Sequence, residues 1–205
     1  MRVITGSAKG YGLKAPRRMG LRPTPSRVKE AVFSSLAERI PNARVLELFA
    51  GTGAFAIETL SRGAHSATLV EKDGRAITLI RDNLRKTHLE ERAQVLRADT
   101  RQALEWLQRD GARFDLVFAD PPYDKGPPVE NKPDGRAPRE TNFSWLSCLL
   151  HSEALPRLLL PTGLLLIEYF KKETAKESPH FTLTREFRFG DTSVGVFTHS
   201  STAAQ

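Results

Sequence analysis

Short apolar runs alternate with amphipathic stretches from residue 44 to residue 119. Residues 44–49 read as a strand, 53–62 as a helix stopped by Gly63, 67–71 as a second strand and 75–87 as a helix. Residues 94–98 follow as a third strand, Thr100–Arg109 as a helix and Phe114–Ala119 as a fourth strand. Strands apolar on both faces, joined by helices through short connections, predict a parallel sheet covered on both sides. The rhythm breaks over 125–141, which is rich in proline, glycine and charge, has no period, and reads as a mobile loop. A helix is predicted over 143–160, bent near Pro156, then a strand over 164–170. Phe181–Phe189 and 193–199 flank Gly190-Asp191 and predict an antiparallel hairpin closing the sheet, with a polar tail at 200–205. The expected fold class is α/β: a mostly parallel seven-stranded sheet with helices on both faces and a C-terminal antiparallel hairpin.

Ahead of that body, residues 1–14 mix short β-type runs with Gly6, Gly10 and Gly12 and predict a small hairpin. Thr24-Pro25 then opens a helix, threonine as N-cap and proline at the first helical position. Val28, Val32, Leu36 and Ile40 give that helix one apolar face, and Pro41 ends it. The expected division is a hairpin-and-helix extension over 1–41 and a main domain over 42–200.

Charge sharpens the division. The net charge is +7, and residues 1–30 hold eight Lys/Arg against a single acid, Glu30, leaving 23 basic and 23 acidic residues elsewhere. A neutral body with a basic arm predicts a polyanion-facing extension. Arg22, Thr24 and Arg27, where arm meets helix, are placed to meet phosphate. One cysteine, Cys148, excludes an internal disulfide and makes a cytoplasmic setting the default. The amino terminus lacks the apolar run of a secretory signal, and the most apolar segment, 158–167, is interrupted by Pro161 and Gly163 and too short to cross a bilayer. The five histidines are scattered, so no metal site is expected.

The candidate chemistry sits where two strands end. After Phe114–Ala119 come Asp120-Pro121-Pro122-Tyr123. Prolines cannot donate to a sheet ladder, so they end the strand and stiffen its exit. Asp120 and Tyr123 are thereby held at the carboxyl end of a parallel strand, where open α/β sheets bind ligands. An accepting carboxylate beside an aromatic face suits a planar ring carrying an exocyclic amine, a nucleobase-sized target.

At the end of the first strand, Gly51-Thr52-Gly53 precedes a helix, and Glu71 follows twenty residues after Gly51. The pattern also fits a dinucleotide site, which holds a pyrophosphate at this turn. Glu47, four residues before Gly51, would set like charge against that pyrophosphate but attracts a sulfonium or ammonium group. Glu71 suits ribose hydroxyls, and Asp99, at the end of the third strand, an adenine amino group.

Glu47-Leu48-Phe49-Ala50-Gly51-Thr52-Gly53 together with Asp120-Pro121-Pro122-Tyr123 resembles the two signature motifs of class I S-adenosylmethionine-dependent amino-methyltransferases. More narrowly, Met1-Arg2-Val3-Ile4-Thr5-Gly6 and the run from Arg22 to Glu30 are similar to the RsmD family, which methylates a guanine N2 amine in small-subunit (16S) ribosomal RNA. So are Leu60-Ser61-Arg62-Gly63-Ala64, Val70-Glu71-Lys72-Asp73 and Phe189-Gly190-Asp191-Thr192. Two departures stand out: Glu47 occupies a place more often taken by aspartate, and 125–141 is long.

The resemblance implies a Rossmann-like class I methyltransferase fold and S-adenosylmethionine as cofactor, leaving as S-adenosylhomocysteine. It implies catalytic roles for Asp120, Pro121, Pro122 and Tyr123, and cofactor contacts from Glu47, Phe49, Gly51, Thr52, Gly53, Glu71, Lys72, Asp99, Thr100 and Asp120. RNA contacts are expected from Arg2, Lys9, Lys14, Arg17, Arg18, Arg22, Thr24 and Arg27. The expected partner is small-subunit ribosomal RNA or the assembling small subunit, the expected state a monomer, with no metal and no membrane. A DNA adenine-N6 methyltransferase and a non-catalytic RNA-binding protein on the same body stay open at this stage. An NAD-dependent oxidoreductase is disfavoured by Glu47.

Overall fold

The computed structural model describes residues 1–15, 26–122, 144–173 and 178–200, with 26–29 as backbone only. Seven strands form one sheet: β1 Arg44–Leu48, β2 Ser66–Glu71, β3 Ala93–Arg97, β4 Phe114–Ala119, β5 Leu159–Phe170, β6 Phe181–Phe189 and β7 Thr192–His199. Their order is β3-β2-β1-β4-β5-β7-β6, with β1 to β5 parallel and β7 antiparallel to both β5 and β6. The helices are α1 Ser26–Ser35, α2 Ala54–Ser61, α3 Gly74–Thr87, α4 Thr100–Arg109, α5 Trp145–Leu150 and α6 Leu155–Leu158.

The central strands are apolar throughout because both of their faces are covered. Val45, Leu46, Leu48, Leu116 and Val117 have no exposed surface, and complete burial of side chains this size stabilises by roughly 1.5–3 kcal/mol each. Alternation along each strand splits the core in two. Val45, Leu69, Leu116 and Leu166 pack with α1, α2 and α3, while Leu46, Val70, Val117 and Ile167 pack with α4, α5 and α6. Beyond β5 the hairpin is tied by Tyr169, whose hydroxyl donates to Glu186 on β6 at 2.8 Å. Burial, reinforced by that hydrogen bond, pushes the Tyr169 phenol well above its ordinary pKa.

Most predicted elements appear within a residue of their expected ends, but three differ. The first helix stops at Ser35 instead of running to Pro41. Ser35 Oγ turns back onto the Val32 carbonyl at 2.7 Å, and bonds from Ala37 N to Ser34 O and from Arg39 N to Leu36 O close irregular turns that still bury Leu36 and Ile40. Its predicted start, Thr24-Pro25, lies outside the described residues.

The single helix expected over 143–160 is two short ones, α5 and α6. Pro156 has no N–H to extend a helix but suits the first turn of a new one, and Ser152 Oγ accepts from Leu155 N at 3.3 Å. β5 then begins at Leu159 instead of 164 and absorbs Pro161 and Gly163 where its register to β4 shifts, an irregularity that spares proline a ladder bond. The predicted loop 125–141 lies outside the described residues.

Residues 1–15 fold back on themselves through an antiparallel bridge between Arg2 and Gly12, with Val3 N bonded to Tyr11 O and Leu13 N to Met1 O. The buried carboxylate of Glu58 on α2 accepts from Ile4 N and Thr5 N at 2.7 and 3.1 Å, and Ser61 Oγ accepts from Ala8 N at 2.9 Å. Gly6, at φ 89°, leaves no room for a side chain, since a Cβ there would lie 1.8 Å from the Ser61 carbonyl oxygen. Val3, Ala8 and Leu13 therefore share the core of α1, α2 and α3.

Candidate active site at the switch point of the sheet

Strand order reverses between β1 and β4: β1 leads outward to β2 and β3, and β4 leads the opposite way to β5. A crevice forms where two such neighbours diverge, at their carboxyl ends. Leu48 lies opposite Ala119, so the glycine turn after β1 and Asp120 after β4 leave the sheet side by side. That juxtaposition builds the site.

The turn is left-handed at three positions, Phe49 (φ 56°), Gly51 (φ 54°) and Gly53 (φ 71°). At Gly53 a Cβ would also stand 2.9 Å from Leu69 Cδ2, so glycine is required both for backbone angle and for the approach of α2 to β2. Phe49, strained for a non-glycine residue, is held edge-on against Trp145 at 4.8 Å. Glu71 clasps the turn from β2: its carboxylate accepts from Gly51 N at 2.9 Å and from Lys72 N and Asp73 N at 2.7 and 2.9 Å. The Lys72 residue itself is exposed. Asp99 N-caps α4, accepting from Arg101 N at 3.0 Å, with Thr100 buried behind it.

Glu47 is only 4% exposed, and its carboxylate turns under the start of α2 to accept from Phe55 N at 3.2 Å and Ala56 N at 2.9 Å. A carboxylate there satisfies two of the helix's unpaired donors and opposes the positive end of its dipole. A pyrophosphate at a Rossmann turn needs such amides, and here an acid holds them. The turn consequently favours a ligand without phosphate.

Asp120 is half-buried, Pro121 buried and Pro122 exposed; Tyr123 lies outside the described residues. Of the residues expected to meet RNA, Arg2 and Lys9 are exposed and line, with Val3, Ile4, Gly10 and Glu30, a cavity of about 330 Å³. Lys14 pairs with Asp82 at 3.0 Å and holds that carboxyl below its ordinary pKa. Arg17, Arg18, Arg22 and Thr24 lie outside the described residues, as does the Arg27 side chain. Among the described residues, no cluster of three or more His, Cys, Asp or Glu could hold a metal ion, and no helix is long and apolar enough to cross a membrane.

Sequence reading missed Asn83. Fully buried on α3, it accepts from Lys14 N at 2.8 Å and donates to Lys14 O and Thr52 O at 3.1 and 3.0 Å. One amide thus joins the basic arm to the glycine turn. The signal was present: an asparagine on the apolar stripe of Ala76, Ile77, Ile80 and Leu84. Asn83→Ala leaves the Lys14 amide and the Thr52 carbonyl without this partner and is expected to cost about 2–3 kcal/mol. A urea titration reads it as a lower midpoint at unchanged slope, and an unchanged midpoint would remove Asn83 from this role.

The family model described as "Conserved hypothetical protein 95" matches residues 1–198. "Putative rRNA methyltransferase YlbH" of Bacillus subtilis is 42% identical over 123 residues, covering 60% of this chain and 67% of its own length. "Ribosomal RNA small subunit methyltransferase D" of Escherichia coli is 40% identical over 126 residues, covering 62% of each, so the matched stretch spans less than two thirds of that relative. The solved structure "Putative methyltransferase yhhF from Escherichia coli" superposes with a TM-score of 0.68 at 28% identity and covers 98% of both chains.

Proposed function

We propose, from the premise that this chain belongs to the family described as Conserved hypothetical protein 95, the RsmD family, that it methylates the exocyclic N2 amine of a guanine in small-subunit ribosomal RNA. The sheet has the class I methyltransferase architecture. The observation that carries the reading is the emergence of the glycine turn and Asp120 side by side from β1 and β4.

The residues fit S-adenosylmethionine. Gly53 lets the turn pack tightly against β2 and α3, Glu47 occupies the amides a phosphate would need, and Glu71 and Asp99 end β2 and precede α4 as acceptors for ribose and adenine. Phe49, Thr52, Lys72, Thr100 and Asp120 flank these positions in the chain and would complete the cofactor site. When bound, the cofactor supplies a methyl group on a sulfonium, open to direct displacement.

The chain's own residues then prepare the acceptor. The guanine N2 lone pair is delocalised into the ring, and hydrogen bonds from the amine to the Asp120 carboxylate and the Pro121 carbonyl would localise and aim it. Positioning of this kind supplies much of the acceleration. Tyr123, assigned by its motif, stacks on the base. Burial pushes the Cys148 thiol up in pKa, which leaves it a poor nucleophile and fits a route without a covalent enzyme intermediate. Because the base must leave its stack, a loop or partly assembled RNA suits the site better than a duplex. Residues 1–41 serve as the RNA-facing extension of the 42–200 domain, with Arg2, Lys9 and the arm's arginines gripping phosphate.

Mapping N2-methylguanine in small-subunit RNA from cells with and without this protein tests the reading. One position is expected to lose its methyl group in the deletion and regain it when purified protein and cofactor are added. No change at any guanine N2, or methyl transfer to DNA adenine instead, would overturn the acceptor assignment.

A further inference from the structure

Ala119 on β4 lies opposite Ile167 on β5, which stands Glu168 beside Asp120 at the carboxyl end of the sheet. Strand alternation sets its face: Ile167 and Tyr169 pack with the layer of α4 to α6, whereas Leu166, and Val194 opposite Glu168 on β7, pack with the layer of α1 to α3. Glu168 therefore shares the face of Glu47 and of Phe118, its register partner on β4. It is 6% exposed, an acid inside the apolar run Leu164-Leu165-Leu166-Ile167-Glu168-Tyr169-Phe170. β5 and β7 continue past it to Phe170 and Thr192, raising a wall alongside the turn that carries Asp120.

Resting on the reading above that guanine N2 is the acceptor, we propose that Glu168 is a specificity residue, its carboxylate accepting the guanine N1–H while Asp120 holds the neighbouring amine. The Watson–Crick edge of guanine presents N1–H next to the N2 amine, a row of donors that matches adjacent carboxylates. Adenine presents its N1 lone pair at the corresponding place, which a carboxylate repels. Discrimination then follows from the sign of the interaction more than from pocket size, and sites that hydrogen-bond a substrate N–H reject analogues lacking it more strongly than apolar pockets do.

The test uses RNA carrying, at the guanine mapped above, either guanine or 2-aminopurine, which keeps the 2-amine but presents N1 as an acceptor. Wild type is expected to favour guanine in kcat/KM by on the order of 100-fold. Glu168→Gln is expected to bring the two substrates within about tenfold, losing on guanine and gaining on 2-aminopurine, because its carboxamide can donate to N1. Glu168→Asp keeps the preference for guanine at a reduced kcat, and Glu168→Ala loses on guanine with no gain on 2-aminopurine. Wild type treating the two bases alike, or Glu168→Gln keeping the wild-type ratio, overturns the assignment of Glu168 alone. Wild type methylating neither base overturns the guanine-N2 reading itself.

Discussion

Asp120→Ala is expected to lower kcat for methyl transfer to small-subunit RNA by about 10³-fold, the scale seen when one preorganised group that stabilises developing charge is removed. In the proposed reaction the amine gains positive charge as its bond to the methyl forms, and Asp120, fixed between the end of β4 and buried Pro121, would be the acid beside it. Asp120→Asn keeps an acceptor oxygen without the charge and should retain more activity, losing about 10²-fold. Glycine turn, Glu47 and Glu71 are untouched by either change, so the KM for S-adenosylmethionine should move by less than about tenfold, the mark of an interaction made mainly in the transition state. Single-turnover transfer of a radiolabelled methyl group, set beside calorimetric cofactor binding, separates the two effects. Parental kcat in Asp120→Ala would place the acceptor elsewhere on the protein.

Glu47→Ala is expected to act first on stability. Its carboxylate, 4% exposed, is the partner of the Phe55 and Ala56 amides at the start of α2. Removing it leaves two buried donors unpaired and a void beneath the helix, a cost of about 3–5 kcal/mol. That is a large part of the roughly 5–15 kcal/mol that holds a typical domain folded. Glu47→Gln retains one acceptor but sets an NH2 group against the second amide, so it recovers only part of the loss. Denaturant midpoints rank the three proteins, and cofactor affinity should fall in the same order because the turn between Glu47 and α2 loses its anchor. A Glu47→Ala protein with the parental midpoint would contradict the hydrogen bonding described for this acid.

Glu47 illustrates how far a sequence reaches. Its spacing to Gly51 argued against a pyrophosphate through like charge, whereas what the structure shows of this acid is a different contact: it accepts from the helix amides themselves. Asp99 similarly combines its expected place after β3 with a capping bond to Arg101. Glu168 and Asn83 escaped notice because neither lies in a glycine- or proline-marked turn. Each is one polar residue within an apolar stripe, and nothing local says which distant backbone it meets. The helix over 143–160 was misjudged because Pro156 reads equally as a bend or as the first turn of a new helix, and the shifted register of β5 against β4 came with the second choice.

The sequence by itself determined the alternation of strands and helices, the hairpin at the end and the two strand-end motifs, because these rest on periodicity and on the backbone limits of glycine and proline, which act within a few residues. The tertiary structure alone decided that β1 and β4 are neighbours, that Glu168 stands beside Asp120, and that Asn83 joins Lys14 to Thr52. Those pairings join positions far apart in the chain, and they are selected by how both faces of one sheet are buried together, a condition that no short stretch carries on its own.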